Sequence, residues 1–123
     1  MAGAIRNFAG GTVWACDPDG PLIAREADAA DLIGEAYGSG AAWIAIPVGR
    51  LAPDFFRLRT GLAGAVLQKL VTYGYRVAIV GDVAGAVAAS DALRDFVRES
   101  NRGTQVWFVA DEGALEARLA ALP

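Results

Sequence analysis

Tyr75-Arg76-Val77-Ala78-Ile79-Val80, followed at once by Gly81-Asp82, decides the fold class. A short apolar run rich in β-branched residues, stopped by a glycine and an aspartate, reads as a buried strand. Such strands belong to parallel sheets packed by helices. Upstream, Leu62, Val66 and Leu70, with Ala63, Leu67 and Val71, form the wide apolar face of a helix from Thr60 to Tyr73, with Thr60 as N-cap and Gly74 as C-cap. Before it, Trp43-Ile44-Ala45-Ile46-Pro47-Val48 is a second continuous apolar run, with Pro47 expected near its end, where no ladder hydrogen bond is lost. Leu51–Arg59, containing Pro53 and Asp54, reads as a connection.

Downstream of Asp82 a small-residue loop runs to Ser90, which caps a helix reaching Asn101 with Leu93, Phe96 and Val97 inward. Gln105–Val109 reads as the last strand, and Asp111 caps a final helix with the stripe Leu115, Leu119, Leu122. Toward the N-terminus, Ala29, Leu32, Ile33 and Ala36 recur at helical spacing within Glu26–Tyr37, and Gly38-Ser39-Gly40 closes that helix. Thr12–Cys16 is a strand, Ala4–Phe8 a weaker one, and Gly10-Gly11 between them marks a hairpin turn. The expected order is β-β-α-β-α-β-α-β-α over residues 1–123: one α/β domain with a mostly parallel central sheet and an N-terminal hairpin.

Composition narrows function mainly by exclusion. Of 123 residues, 54% are hydrophobic and 20% charged, the balance of a chain that buries a core rather than a disordered one. The net charge of −3 shows no basic face, so nucleic acid is not an expected partner. The apolar runs are strand-length and interrupted, no secretory leader is evident, and a single cysteine, Cys16, fits a reducing compartment. A cytoplasmic location and no membrane contact are expected. The absence of histidine removes every triad that uses it as base and the commonest zinc ligand. Lys69, the sole lysine, follows Gln68 rather than a glycine-rich phosphate loop. Gly81-Asp82-Val83-Ala84-Gly85 departs from the dinucleotide fingerprint, and Asp17-Pro18-Asp19-Gly20 lacks the later ligands of a calcium loop. No cofactor, metal or catalytic residue is assigned. Cys16 and the three tryptophans, Trp14, Trp43 and Trp107, are expected in the core.

Ligands of open parallel sheets gather at the C-terminal ends of the strands. The loops after the third and fourth strands should share that edge, carrying Asp54, Arg57, Arg59, Thr60, Asp82 and Ser90, with Arg94 on the next helix. Carboxylates, guanidinium groups and hydroxyls on one rim suit a protein partner or a small effector. They equally suit local turn bonds, helix caps and surface ion pairs.

The segments Asp54-Phe55-Phe56, Thr60-Gly61-Leu62-Ala63-Gly64, Leu67-Gln68-Lys69, Ala78-Ile79-Val80-Gly81-Asp82, Leu93-Arg94-Asp95-Phe96 and Glu99-Ser100-Asn101-Arg102-Gly103 together resemble a bacterial family catalogued as domain of unknown function 4180. That resemblance covers nearly the whole chain and implies no activity. A looser one is to STAS domains, the fold of anti-sigma factor antagonists, which implies a STAS-like element order. Arg59 stands where that family has its phosphoacceptor serine, and Leu58 where an aspartate usually precedes it. The resemblance therefore implies the fold but not the kinase switch.

Three readings follow. The first is a non-enzymatic regulatory or interaction module using the rim; there, phosphorylation of Thr60 beside Arg57 and Arg59 would reorder the loop. The second is a small-molecule binder, or a histidine-free, metal-free enzyme with Asp54, Asp82, Asp95 or Glu99 as acid–base groups and Arg59 or Arg94 as anion holder. The third is a homodimer through the weak first strand or the charged helix.

Overall fold

A computed structural model describes residues 3–122. The strands are β1 (Gly3–Phe8), β2 (Gly11–Cys16), β3 (Trp43–Pro47), β4 (Arg76–Val80) and β5 (Val106–Val109). The helices are α1 (Glu26–Ala36), α2 (Leu62–Thr72), α3 (Ala84–Ala88), α4 (Asp91–Arg102) and α5 (Glu112–Ala120). The five strands form one sheet in the order β1-β2-β3-β4-β5, with β1 antiparallel to β2 and the other neighbours parallel.

Alternation along the strands sorts side chains to two faces. Ile44, Ile46, Val77, Ile79, Cys16 and Phe108 meet α1 and α2 on one face, with Phe96 and Val97 of α4 packed against the same cluster. Right-handed crossovers between strands laid down in sequential order put these helices on one side. The other face carries Val13, Trp43, Ala45, Ala78, Trp107 and Val109, and α5 covers it with Leu115 and Leu119. Trp43 and Trp107 pack there with ring centroids 4.4 Å apart. The alternation thus gives the larger face most of the branched aliphatic residues and the smaller one Trp43, Trp107, Ala45 and Ala78.

Three sequence expectations need correction: the loop before Ser90, the end of β3 and the start of α2. The loop from Asp82 to Ser90 contains α3, a single short helix that the alanine-rich Ala84-Gly85-Ala86-Val87-Ala88 sustains and that Asp82 starts by accepting the Ala84 amide at 2.8 Å. The connection before α2 consists of three successive 3-10 turns, Val48–Arg50, Pro53–Phe56 and Leu58–Thr60. Strand β3 ends at Pro47, because Val48 already belongs to the first of these turns. Helix α2 begins at Leu62; Gly61 is the N-cap residue, and Thr60 caps from one residue further out by accepting the Leu62 amide at 3.2 Å. Ser90 and Asp111 do cap α4 and α5, accepting the amides of Leu93 and Ala114 at 3.1 and 2.8 Å.

The two edges of the sheet differ. At β5, the Asn101 side chain accepts the Phe108 amide at 2.7 Å and donates to the Phe108 carbonyl at 3.3 Å, as a neighbouring strand would. Arg118 of α5 donates to both the carbonyl and the side chain of Asn101 and lies 4.3 Å over the Trp107 ring. At β1, four central residues are exposed. Asn101→Ala is expected to lower the stability of the fold by about 2 kcal/mol, since it leaves both main-chain groups of Phe108 unpaired. Urea unfolding reads the loss, and amide hydrogen exchange should quicken at Phe108.

Candidate functional site

The loops after β3 and β4 do meet at one edge. Pro47 and Val80 are register partners at the ends of their strands. A side chain on Gly81 would lie 2.7 Å from the Val48 side chain, so the second loop leaves β4 pressed against the first. Val48, Phe56, Leu58 and Val83 all pack on the same core cluster. The loop after β2 joins them through an isolated parallel bridge between Ile23 and Leu51.

The expected rim residues lie along this edge and, Arg59 excepted, each is bonded within its own loop or helix. Asp54 and Arg57 pair at 3.2 Å with both side chains well exposed. The Thr60 hydroxyl shares its proton between the carbonyls of Asp54 at 2.7 Å and Arg57 at 2.9 Å while accepting from Leu62. A phosphate on this oxygen would sever those bonds. Asp82 serves α3 and Ser90 caps α4. Arg94 pairs with Asp91 at 3.3 Å and approaches Asp95 at 3.9 Å. Arg59 is exposed and has no ion pair or side-chain hydrogen bond among the described residues. No bond between described residues joins the Asp54–Thr60 group to Asp82, Ser90 or Arg94. The four acids considered for proton transfer, Asp54, Asp82, Asp95 and Glu99, are all exposed, and none lines either of the two hollows described below.

The residue that organises the edge is one the sequence reading passed over. Arg50 is only 4% exposed. Its Nε donates to the Pro21 carbonyl at 2.6 Å and its Nη1 to the Asp17 carbonyl at 2.7 Å. Around it, the Ile23 amide donates to the Arg50 carbonyl at 2.7 Å, and the Ala52 amide to the Ile23 carbonyl at 3.1 Å. Gly20 is required here for room: a Cβ would sit 2.6 Å from the guanidinium carbon.

Arg50 also borders a small cleft of about 230 Å³ with Pro21, Leu22, Asp28, Asp31, Leu32 and Glu35. Asp28 is tied to the start of α1: its carboxylate accepts the amides of Ala24 and Arg25 at 2.9 and 3.0 Å. The first of these bonds is the main reason its pKa lies below the usual value. Glu35 is the opposite case. Burial raises its pKa, and the nearby Trp14 and Arg50 only partly offset that. Glu35 Oε1 and Trp14 Nε1 are both buried without a hydrogen-bond partner among the described residues. Cys16, buried beside this group, has its thiol pushed up to about 12, chiefly by desolvation, which makes it inert as a nucleophile.

A second hollow opens on the opposite face, at the same C-terminal edge. Ala4, Ala15, Ala45 and Ala78 are successive register partners across four strands, a row of small side chains in the sheet. Helix α5 buries Ala78 and Ala45, but the row becomes more exposed through Ala15 to Ala4. The uncovered end is a trough of about 450 Å³, floored by Ala4, Ala15 and Ala45 with Val13, Pro47, Val80 and Leu115. Arg6, Asp17 and Glu112 supply its polar groups, with Arg6 and Glu112 3.9 Å apart. The trough contains none of the rim residues expected from sequence.

The model of the family described as Domain of unknown function (DUF4180) matches residues 9–119. The chain belongs to this family. No curated protein and no solved structure matches it. The matched segment begins after β1 and includes Arg50, the rim loops and nearly all of α5. No helix among the described residues is long and apolar enough to cross a membrane.

Two outcomes follow. Arg50→Met should destabilise the protein by about 3 kcal/mol, because two loop carbonyls lose a charged donor, and hydrogen exchange should accelerate at residues 17–24 before it does in the sheet. Glu35→Gln should gain on the parent as pH rises. The folded chain holds the Glu35 proton more tightly than the unfolded chain does. The parent therefore loses stability once pH climbs above the ordinary value of 4.5, until the raised folded pKa is passed. Unfolding midpoints of the two proteins, compared between acid and neutral pH, test the sign.

Proposed function

We propose that this domain is a non-catalytic regulatory or interaction module that receives a protein partner or small effector on the rim bearing Asp54, Arg57, Arg59, Thr60 and Asp82, with Ser90 and Arg94 at its far side. The observation that carries this reading is Arg59. It is an exposed guanidinium left free among the described residues, on a chain of 3-10 turns held by the bonds of Thr60. A charged group on an ordered support loses little side-chain freedom elsewhere in the loop when a partner binds. The exposure of Asp54, Asp82, Asp95 and Glu99 also favours recognition over proton transfer, since an acid–base group working near neutral pH needs burial to raise its pKa.

A second reading is favoured by the trough. Its volume and mainly apolar lining, with a few polar groups at the margin, suit a small amphipathic molecule.

Both readings meet in one experiment. The protein is purified from its own host after carbodiimide crosslinking and compared with the Asp54→Ala/Arg59→Ala double variant, with native mass spectrometry in parallel. The rim reading expects crosslinks at Asp54 and Asp82 to a discrete partner, and at least a tenfold loss of that partner in the variant. Retention unchanged by the double substitution would remove the rim as the binding face. A bound small molecule retained by the variant would transfer the function to the trough.

A further inference from the structure

We propose that the protein pairs with a second copy of itself through β1, forming a two-fold antiparallel dimer centred on Ile5. This surface is separate from the rim, so either reading can fail alone.

The inference starts from the unequal edges of the sheet. The β5 edge is occupied at Phe108 by Asn101, which is fixed there by Arg118. The β1 edge carries only one of the usual protections, the charge of Arg6. Gly3–Phe8 contains no proline and no lysine, its register with β2 runs without a bulge, and its central residues are exposed. In an antiparallel pair alternate residues turn their N–H and C=O groups outward, so β1 presents a ladder that no other strand among the described residues pairs.

Side chains then choose the partner and the register. A two-fold centred on Arg6 would set two guanidinium groups face to face. A two-fold centred on Ile5 brings the two Ile5 side chains, each 45% exposed, against one another on the face they share with Trp14. It also sets Ala4 opposite the partner's Arg6, and Gly3 opposite the partner's Asn7. Ala4 is the open end of the trough, which Asp17 and Glu112 flank with negative charge. Glu112 is held by its own Arg6 only at 3.9 Å, which leaves it free to meet a second guanidinium. A residue whose charge repels itself in one register thus finds a small neighbour and two acids in the next. The interface is isologous: each copy gives an arginine and receives one.

Sedimentation and light scattering of the full chain, over a wide range of protein concentration, should show a mass twice the 12.8 kDa of one chain at the upper end. Ile5→Lys should keep the circular dichroism spectrum and melting behaviour while remaining at the single-chain mass. Ile5→Cys should oxidise to a covalent dimer, since directly paired strand residues have Cα atoms about 4.5–5.5 Å apart, within disulfide reach. Asn7→Cys should not, because the same two-fold separates the two copies of that residue by roughly 13 Å. Buried Cys16 stays out of the exchange. A single-chain mass at every concentration would overturn the proposal. So would a dimer that survives Ile5→Lys, or crosslinking at residue 7 as ready as at residue 5.

Discussion

Arg50 takes a full positive charge to a place where water hardly reaches it, and the protein meets that cost with main-chain carbonyls rather than with a closely paired carboxylate. The two carbonyls belong to the loop after β2, while the arginine belongs to the turn after β3. One side chain therefore closes the gap between two connections that the sheet alone would leave independent. The Ile23–Leu51 bridge and the Val48–Gly81 contact extend the same junction to either side. Asp54, Arg59 and Thr60 on the C-terminal rim are referenced to this junction, since the 3-10 turns carrying them begin at Val48–Arg50 itself.

The opposite face follows a different rule. There the sheet is covered by one helix of nine residues, too short to shield five strands. Trp43 and Trp107 fill the space under α5 together with Ala45 and Ala78, while Ala15 and Ala4 lie where it does not reach. The trough is thus the geometric remainder of a sheet with three helices on one side and a single helix on the other. Its chemistry comes from what borders it: a strand with one arginine, a turn with an aspartate, and the acidic first turn of α5.

Much of the architecture was legible in the sequence because it is written locally. The runs at Trp43 and Tyr75, the helical spacing around Leu62 and Leu93, and the caps at Ser90 and Asp111 depend on residues a few positions apart. What was not legible depends on pairing across the chain. Arg50 binds carbonyls 29 and 33 residues earlier, and nothing in Val48-Gly49-Arg50 distinguishes it from a solvated arginine. The alanine row exists only once the register is known, because its members come from four separate strands. The edge where the two rim loops meet was inferred from strand polarity. Which of its groups would be tied into local bonds could not be, since Asp54, Thr60, Asp82 and Ser90 serve equally well as turn, cap or contact.

Asn101 has a further consequence for how this molecule behaves in a crowded solution. A sheet with two free margins can be lengthened from either end, and repeated addition leads to ribbons without limit. Here one margin is already occupied at Phe108 from within the same chain, by a side chain standing in for a strand. Growth in that direction is blocked before it starts, and whatever joins at the other margin completes the object rather than extending it.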